Sequence, residues 1–269
     1  MAELILDARN GTGESAVWQV AEQALYWVDS PGKTINRWSP TAGHRQWETE
    51  EMPACIAATA TAGQWIAGME SGVFSLQLQD DGKALATRLA AVPHAAPTMR
   101  FNDGRCDRQG RFWAGTMLLD MAAAARVGCV YSYASDSEKL ATVLDDFIVP
   151  NGLAFSPDGK TMYVSDSHPT VQQVWAYDYD TQSGTPSNRR VFVDMNAFPG
   201  RPDGAAMDVD GCYWICGNDA GLIHRFTPDG RLDKSLAVPV KKPAMCAFGG
   251  PQLDTLYVTS IRPGGDLTD

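Results

Sequence analysis

Short apolar runs, each led by a polar side chain and closed by a turn, recur along this chain. The clearest stretch is Val149-Pro150-Asn151-Gly152-Leu153-Ala154-Phe155-Ser156-Pro157-Asp158-Gly159, followed by Thr161-Met162-Tyr163-Val164-Ser165-Asp166. The Pro-Asp-Gly turn between two apolar runs predicts a pair of antiparallel strands. The same layout places Glu14 before Val17-Trp18 and Leu25-Tyr26-Trp27-Val28, Asn102 before Arg111-Phe112-Trp113-Ala114, and Asp203 before Cys212-Tyr213-Trp214-Ile215. Two weaker copies, around Ala54-Cys55 and Met245-Cys246, lack an oxygen-bearing side chain at that position.

Six copies at a spacing of roughly 40 to 50 residues have the period of propeller blades. The expected fold is therefore all-β, a six-bladed β-propeller with four-stranded antiparallel blades, in one domain over residues 1–269. Radial blades bring equivalent positions to one axis, so Glu14, Asn102, Asn151 and Asp203 are expected to converge. Leu4-Ile5-Leu6 reads as a strand that closes the ring onto the last blade. The alanines between Leu118 and Arg126 interrupt the third repeat and favour a helical turn at the mouth of the ring. After Leu256-Tyr257-Val258-Thr259-Ser260 no third strand follows for repeat six, so the reading expects an imperfectly closed ring or a natural chain that runs on.

Charge narrows the partners. The net charge is −10 with no basic stripe, which argues against nucleic acid, whose binding needs clustered Lys and Arg. No apolar run approaches the ~20 residues that span a bilayer, and the amino terminus lacks a basic start with an apolar core. A soluble, cytoplasmic protein without a membrane partner is expected. The six cysteines, Cys55, Cys106, Cys129, Cys212, Cys216 and Cys246, are scattered and read as reduced thiols. Cys212 and Cys216 would lie roughly 13 Å apart on a strand, too far to share an ion. His44, His94, His168 and His224 fit no zinc spacing and read as structural or surface groups.

The candidate chemistry sits at the repeated polar position. Glu14 and Asp203 supply two carboxylates, and Asn102 and Asn151 add amide oxygens, a set suited to one divalent cation: Ca²⁺, Mg²⁺, Mn²⁺ or Zn²⁺. Such an ion, partly open to solvent, polarises an ester carbonyl. The chain has no Gly-x-Ser-x-Gly elbow, no Gly-rich phosphate loop with a Lys, and no Cys-x-x-Cys pair.

At these residues the chain resembles a known family. Gly13-Glu14-Ser15, Arg100-Phe101-Asn102-Asp103-Gly104, Ala114-Gly115-Thr116-Met117, Asn151-Gly152-Leu153, Ser187-Asn188-Arg189-Arg190, Pro202-Asp203-Gly204 and Cys246-Ala247-Phe248-Gly249-Gly250 together resemble the gluconolactonase, regucalcin and senescence-marker-protein family. The resemblance implies a six-bladed propeller, one axial divalent metal, and hydrolysis of a small-molecule sugar lactone to an aldonic acid. It implies Glu14, Asn151 and Asp203 as metal ligands, Arg100 and Asn102 as contacts to the lactone, and Asp203 also as the base for the attacking water. Asp120 stands where many members carry Glu directed at substrate hydroxyls, and its shorter reach would shift sugar preference. Ala16 replaces a usual Pro. Two alternatives remain open: a metal-dependent phosphotriester or ester hydrolase, and a calcium-binding or sugar-sensing propeller without significant turnover. Asp120 has a plainer reading too, as the cap of the alanine turn.

Overall fold

A computed structural model of the chain describes residues 2–136 and 138–262. The first sheet is built from β1 (Gly13–Gln19), β2 (Ala24–Asp29), β3 (Thr34–Ser39) and β4 (Gly43–Glu48). The second contains β5 (Cys55–Ala58), β6 (Gln64–Gly68), β7 (Gly72–Leu78) and β8 (Ala84–Ala91). Next come β9 (Met99–Cys106), β10 (Phe112–Leu118), β11 (Gly128–Ala134) and β12 (Lys139–Phe147). The fourth sheet holds β13 (Pro150–Phe155), β14 (Thr161–Asp166), β15 (Gln173–Asp180) and β16 (Thr185–Asp194), and the fifth β17 (Arg201–Met207), β18 (Tyr213–Asn218), β19 (Leu222–Phe226) and β20 (Leu232–Ala237). Last come β21 (Pro243–Gly249) and β22 (Thr255–Ser260), which pair only with each other.

The expectation of six four-stranded blades is corrected: the all-β propeller has five such blades, and the β21–β22 sheet has two strands. Among the described residues no third strand follows β22, and the chain after it meets its own start. Thr12 bridges Ile261, and the Arg262 N–H donates to Gly11 O at 3.1 Å. This pairing also replaces the strand expected at Leu4-Ile5-Leu6. Those residues form none, and Leu4 is exposed.

Burial falls from the axis outward. Every residue of β13 is buried and every residue of β20 is exposed, as meandering sheets packed side by side around an axis require. Flat aromatic rings fill the gaps between neighbouring sheets. Tyr26 meets Trp65 at 4.3 Å between ring centroids, Trp113 lies edge-on to Phe155 and Tyr179, and Trp18 stacks on Tyr257 at 5.1 Å where the ring closes. The six cysteines are all free, and Cys212 and Cys216 are core residues as expected. No helix among the described residues is long and apolar enough to cross a membrane. The alanine segment forms one 3₁₀ turn, Met121–Ala123.

A polar tie joins the third and fourth blades. Asp107 Oδ2 accepts from Tyr179 Oη at 2.5 Å and from Arg111 Nη1 at 2.8 Å, while Oδ1 accepts the Gln109 and Arg111 N–H groups, both at 2.9 Å. Burial alone would raise this acid, but those donors outweigh it and hold Asp107 below the ordinary carboxylate range. A depressed folded-state acid stabilises the fold above its unfolded pKa, about 4, and loses that contribution as pH falls through the lower folded value. Urea midpoints of the native protein and Asp107→Asn should therefore differ clearly at pH 7, begin to converge near pH about 4 and meet once the pH lies below the depressed folded value. A difference that stays constant across that range would contradict the tie.

Candidate active site

A backbone irregularity aims the site. On β1 the register with β2 shifts between Glu14 and Val17, on β13 between Asn151 and Ala154, and on β17 between Pro202 and Ala205. On β9 the partners of Ala114 and Thr116 are Gly104 and Phe101, so Asn102 and Asp103 fall inside the same kind of bulge. A bulge bends the strand and turns a side chain out of strict alternation. All four inner strands with an oxygen-bearing side chain carry one; of the two that lack that side chain, β5 pairs regularly and β21 shifts between Pro243 and Cys246. The Gly after Asn151 makes the bend possible. Gly152 has φ +59°, and a Cβ there would collide with the Tyr213 hydroxyl.

The bulges bring Asn151 and Asp203 into direct contact, Asn151 Nδ2 donating to Asp203 Oδ1 at 2.5 Å. Both are buried. Half-buried Glu14 lies close enough to feel them. Burial first, then the Asp203 and Asp103 carboxylates, push Glu14 well above the carboxylate range, against the pull of Arg100 and the Ser15 N–H. Asp203 is raised as well, again chiefly by burial, while amide donors and Arg201 pull the other way.

Arg100 and Asn102 form a second pair at this end of the ring. Arg100 Nη1 donates to Asn102 Oδ1 at 3.1 Å and to Phe101 O at 2.7 Å, and Asn102 Nδ2 donates to Pro150 O at 3.1 Å, just before Asn151. Burial lowers the Arg100 pKa while Glu14 and, more weakly, Asp203 raise it. Arg100 Nε is buried without a partner among the described residues, a donor with nothing to donate to. Asp120 stands apart from this group: exposed, it accepts the Ala122 N–H at 3.2 Å and caps the 3₁₀ turn.

Three residues belong to the site that the repeat pattern did not reveal. Asn218, at the end of the second strand of its blade, donates from Nδ2 to Asp203 Oδ2 at 2.6 Å, and its own Oδ1 is buried without a partner. Asp103 is buried and accepts Gly104 N–H (2.8 Å) and Leu153 N–H (2.7 Å). Arg105 reaches across to the facing strands, donating to Leu153 O at 3.1 Å and Ala205 O at 2.7 Å and touching Met245 Sδ. It also lines a cavity of about 300 Å³, together with Ser15, Cys106, Asp107, Phe155 and Met207 among others. Asp103 and Arg105 belong to the Asn-Asp-Gly-Arg run around Asn102 and could have been found there. Asn218 gave no signal, because it closes the second strand beyond the aligned Cys212-Tyr213-Trp214-Ile215 run.

No group of three or more His, Cys, Asp or Glu among the described residues is placed to hold a metal. The donors here are of another kind: two carboxylates, the Asn151 Oδ1 that accepts only the Gly152 N–H at 3.1 Å, and the unpartnered Asn218 Oδ1. Crowded carboxylates with unspent oxygen lone pairs are the donor chemistry of a hard divalent cation, and the residues fit one.

Comparison with known proteins follows the same lines. The family model for the SMP-30/Gluconolactonase/LRE-like region matches residues 12–262. A 6-deoxy-6-sulfogluconolactonase from Pseudomonas putida is 39% identical over 253 residues, covering 93% of this chain and 83% of the relative. Regucalcin from Xenopus laevis is 33% identical over 268 residues, 98% of this chain and 88% of its own. Among solved structures, the calcium-binding protein regucalcin from Agrobacterium tumefaciens superposes with a TM-score of 0.86 at 27% identity, over 96% of this chain and 84% of that one.

Replacing Asn218 by Ala leaves Asp203 Oδ2 without that donor in a buried place. The cost should be about 1–3 kcal/mol of stability, read from urea unfolding; an unchanged midpoint would show that water replaces the amide freely.

Proposed function

The chain belongs to the SMP-30/gluconolactonase/LRE-like family, and from that premise we propose that it is a lactonase opening sugar lactones to aldonic acids, the whole chain acting as one domain. The observation that carries the reading is the meeting of Asp203, Asn151 and Glu14 at one end of the ring, beside the unpartnered Arg100 Nε. In it Glu14, Asn151 and Asp203 hold one divalent cation. When bound, such an ion draws electron density from the lactone carbonyl and favours attack by water.

The chain's own groups do the rest. Arg100 and Asn102 orient the lactone, and Arg100 Nε offers the donor that the fold leaves unused. Asp120 faces the ring hydroxyls from the turn that follows β10. Asn151 and Asn218 fix the Asp203 carboxylate, whose oxygens each keep a lone pair beyond the amide bonds. As water bonds to the carbonyl carbon, Asp203 takes its proton; the carbon–ring oxygen bond then breaks, and the proton passes to the released alkoxide to give the hydroxy acid.

A second reading, a calcium-binding propeller without turnover, is favoured by the all-oxygen donor set and by the calcium-binding relative. Acid release from gluconolactone, corrected for spontaneous opening and measured with and without chelator, separates the two. Asp203→Ala should reduce kcat by about 10²–10⁴-fold and abolish cation binding in calorimetry. Full activity in that variant removes Asp203 from the mechanism. A panel that includes phosphotriesters shows whether the ester class is wider than lactones.

A further inference from the structure

The Asp120 turn is held by a side chain from the neighbouring blade. His168 lies in the loop after β14, is 7% exposed, and reaches back 47 residues to place Nε2 3.1 Å from Met121 O. A carbonyl only accepts, so Nε2 carries the proton; Nδ1 then accepts from Thr170 Oγ1 at 2.8 Å and from Thr170 N at 3.3 Å. The Met121 carbonyl also receives the Ala124 N–H at 3.0 Å, which fills its second lone pair.

The imidazole is itself fixed. The backbone that carries it is anchored too: fully buried Asp166 accepts the His168 backbone N–H at 3.0 Å and, from the link between β12 and β13, the Ile148 N–H at 2.8 Å and the Val149 N–H at 3.1 Å. Ala124 of the turn packs with Val171 on the small cluster of Met117, Ile148 and Val149. The base of the turn is tied by Leu119 N–H to Thr98 O at 3.1 Å, two residues before Arg100. One connected frame therefore carries Asp120, Arg100 and Asn151. The side-chain hydrogen bond from His168 is what reaches the exposed middle of the turn.

We propose that His168 is a positioning residue that sets substrate selection: by holding the Met121 carbonyl it orients Asp120 toward the hydroxyls of a polyhydroxylated lactone, and so favours such lactones over unsubstituted ones. The proposal rests on the lactonase reading. It requires His168 to act through Asp120 and leaves ester opening itself untouched.

The test compares gluconolactone with δ-valerolactone, which has the ester and no hydroxyls. His168→Ala should raise KM for gluconolactone about tenfold, the worth of one well-placed hydrogen bond, with kcat for both lactones and KM for δ-valerolactone unchanged. His168→Gln, whose Nε2 can still donate to the carbonyl, should restore the native KM, and His168→Asn should not. In an Asp120→Ala background the His168→Ala change should add nothing, because the two act as one unit. Hydrogen exchange over residues 119–126 should speed up in His168→Ala. Equal losses on both lactones, additive effects of the two substitutions, or faster exchange with unchanged selectivity would each overturn the proposal. If the native protein opens neither lactone, the lactonase reading fails and selection with it, while slow exchange restored by Gln would still establish the clasp.

Discussion

Keeping acidic groups close together inside the ring is the constraint from which the rest of the structure follows. Like charges in a poorly solvated interior repel, and each also loses its hydration. Glu14 is raised by burial, by Asp203 and by Asp103. The surrounding atoms answer that cost one by one: amides from Asn151 and Asn218 on Asp203, backbone N–H groups on Asp103, and the cations of Arg100 and Arg105 close by. These groups come from β9, β13, β17 and β18, so the same bonds that steady the acids also tie blades to one another.

The bulges serve this arrangement. A regular strand alternates its side chains strictly, and an inner strand of a propeller packs against both neighbouring blades. Without the extra residue, a polar group pointing at the axis would not fit the same strand as the apolar residues that make the sheet interfaces. The irregularity lets Leu153 enter the interior while Asn151, two residues earlier, meets Asp203.

Much of this was legible in the sequence, since turn chemistry and alternation are local. The inner strands of the first five repeats, all four strands of the fourth and the aromatic packing residues followed from short-range pattern, as did the reduced thiols, whereas the exposed outer strands β4, β8, β12 and β20 carry too little alternation to be read. What failed was long-range. A sixth four-stranded blade was expected from the repeat count, yet the residues after Ser260 bridge to Thr12 and Gly11; which strand closes a ring depends on partners at the opposite end of the chain. Asn218 and His168 were invisible because each acts across a gap, on Asp203 and on Met121, that no sequence spacing measures.

Arg105 carries a different implication. Its guanidinium is bonded to carbonyls of two other blades, and it also lines the 300 Å³ cavity. One side chain thereby fastens three blades, β9 to β13 and β17, so the ring cannot widen at that level without breaking its bonds.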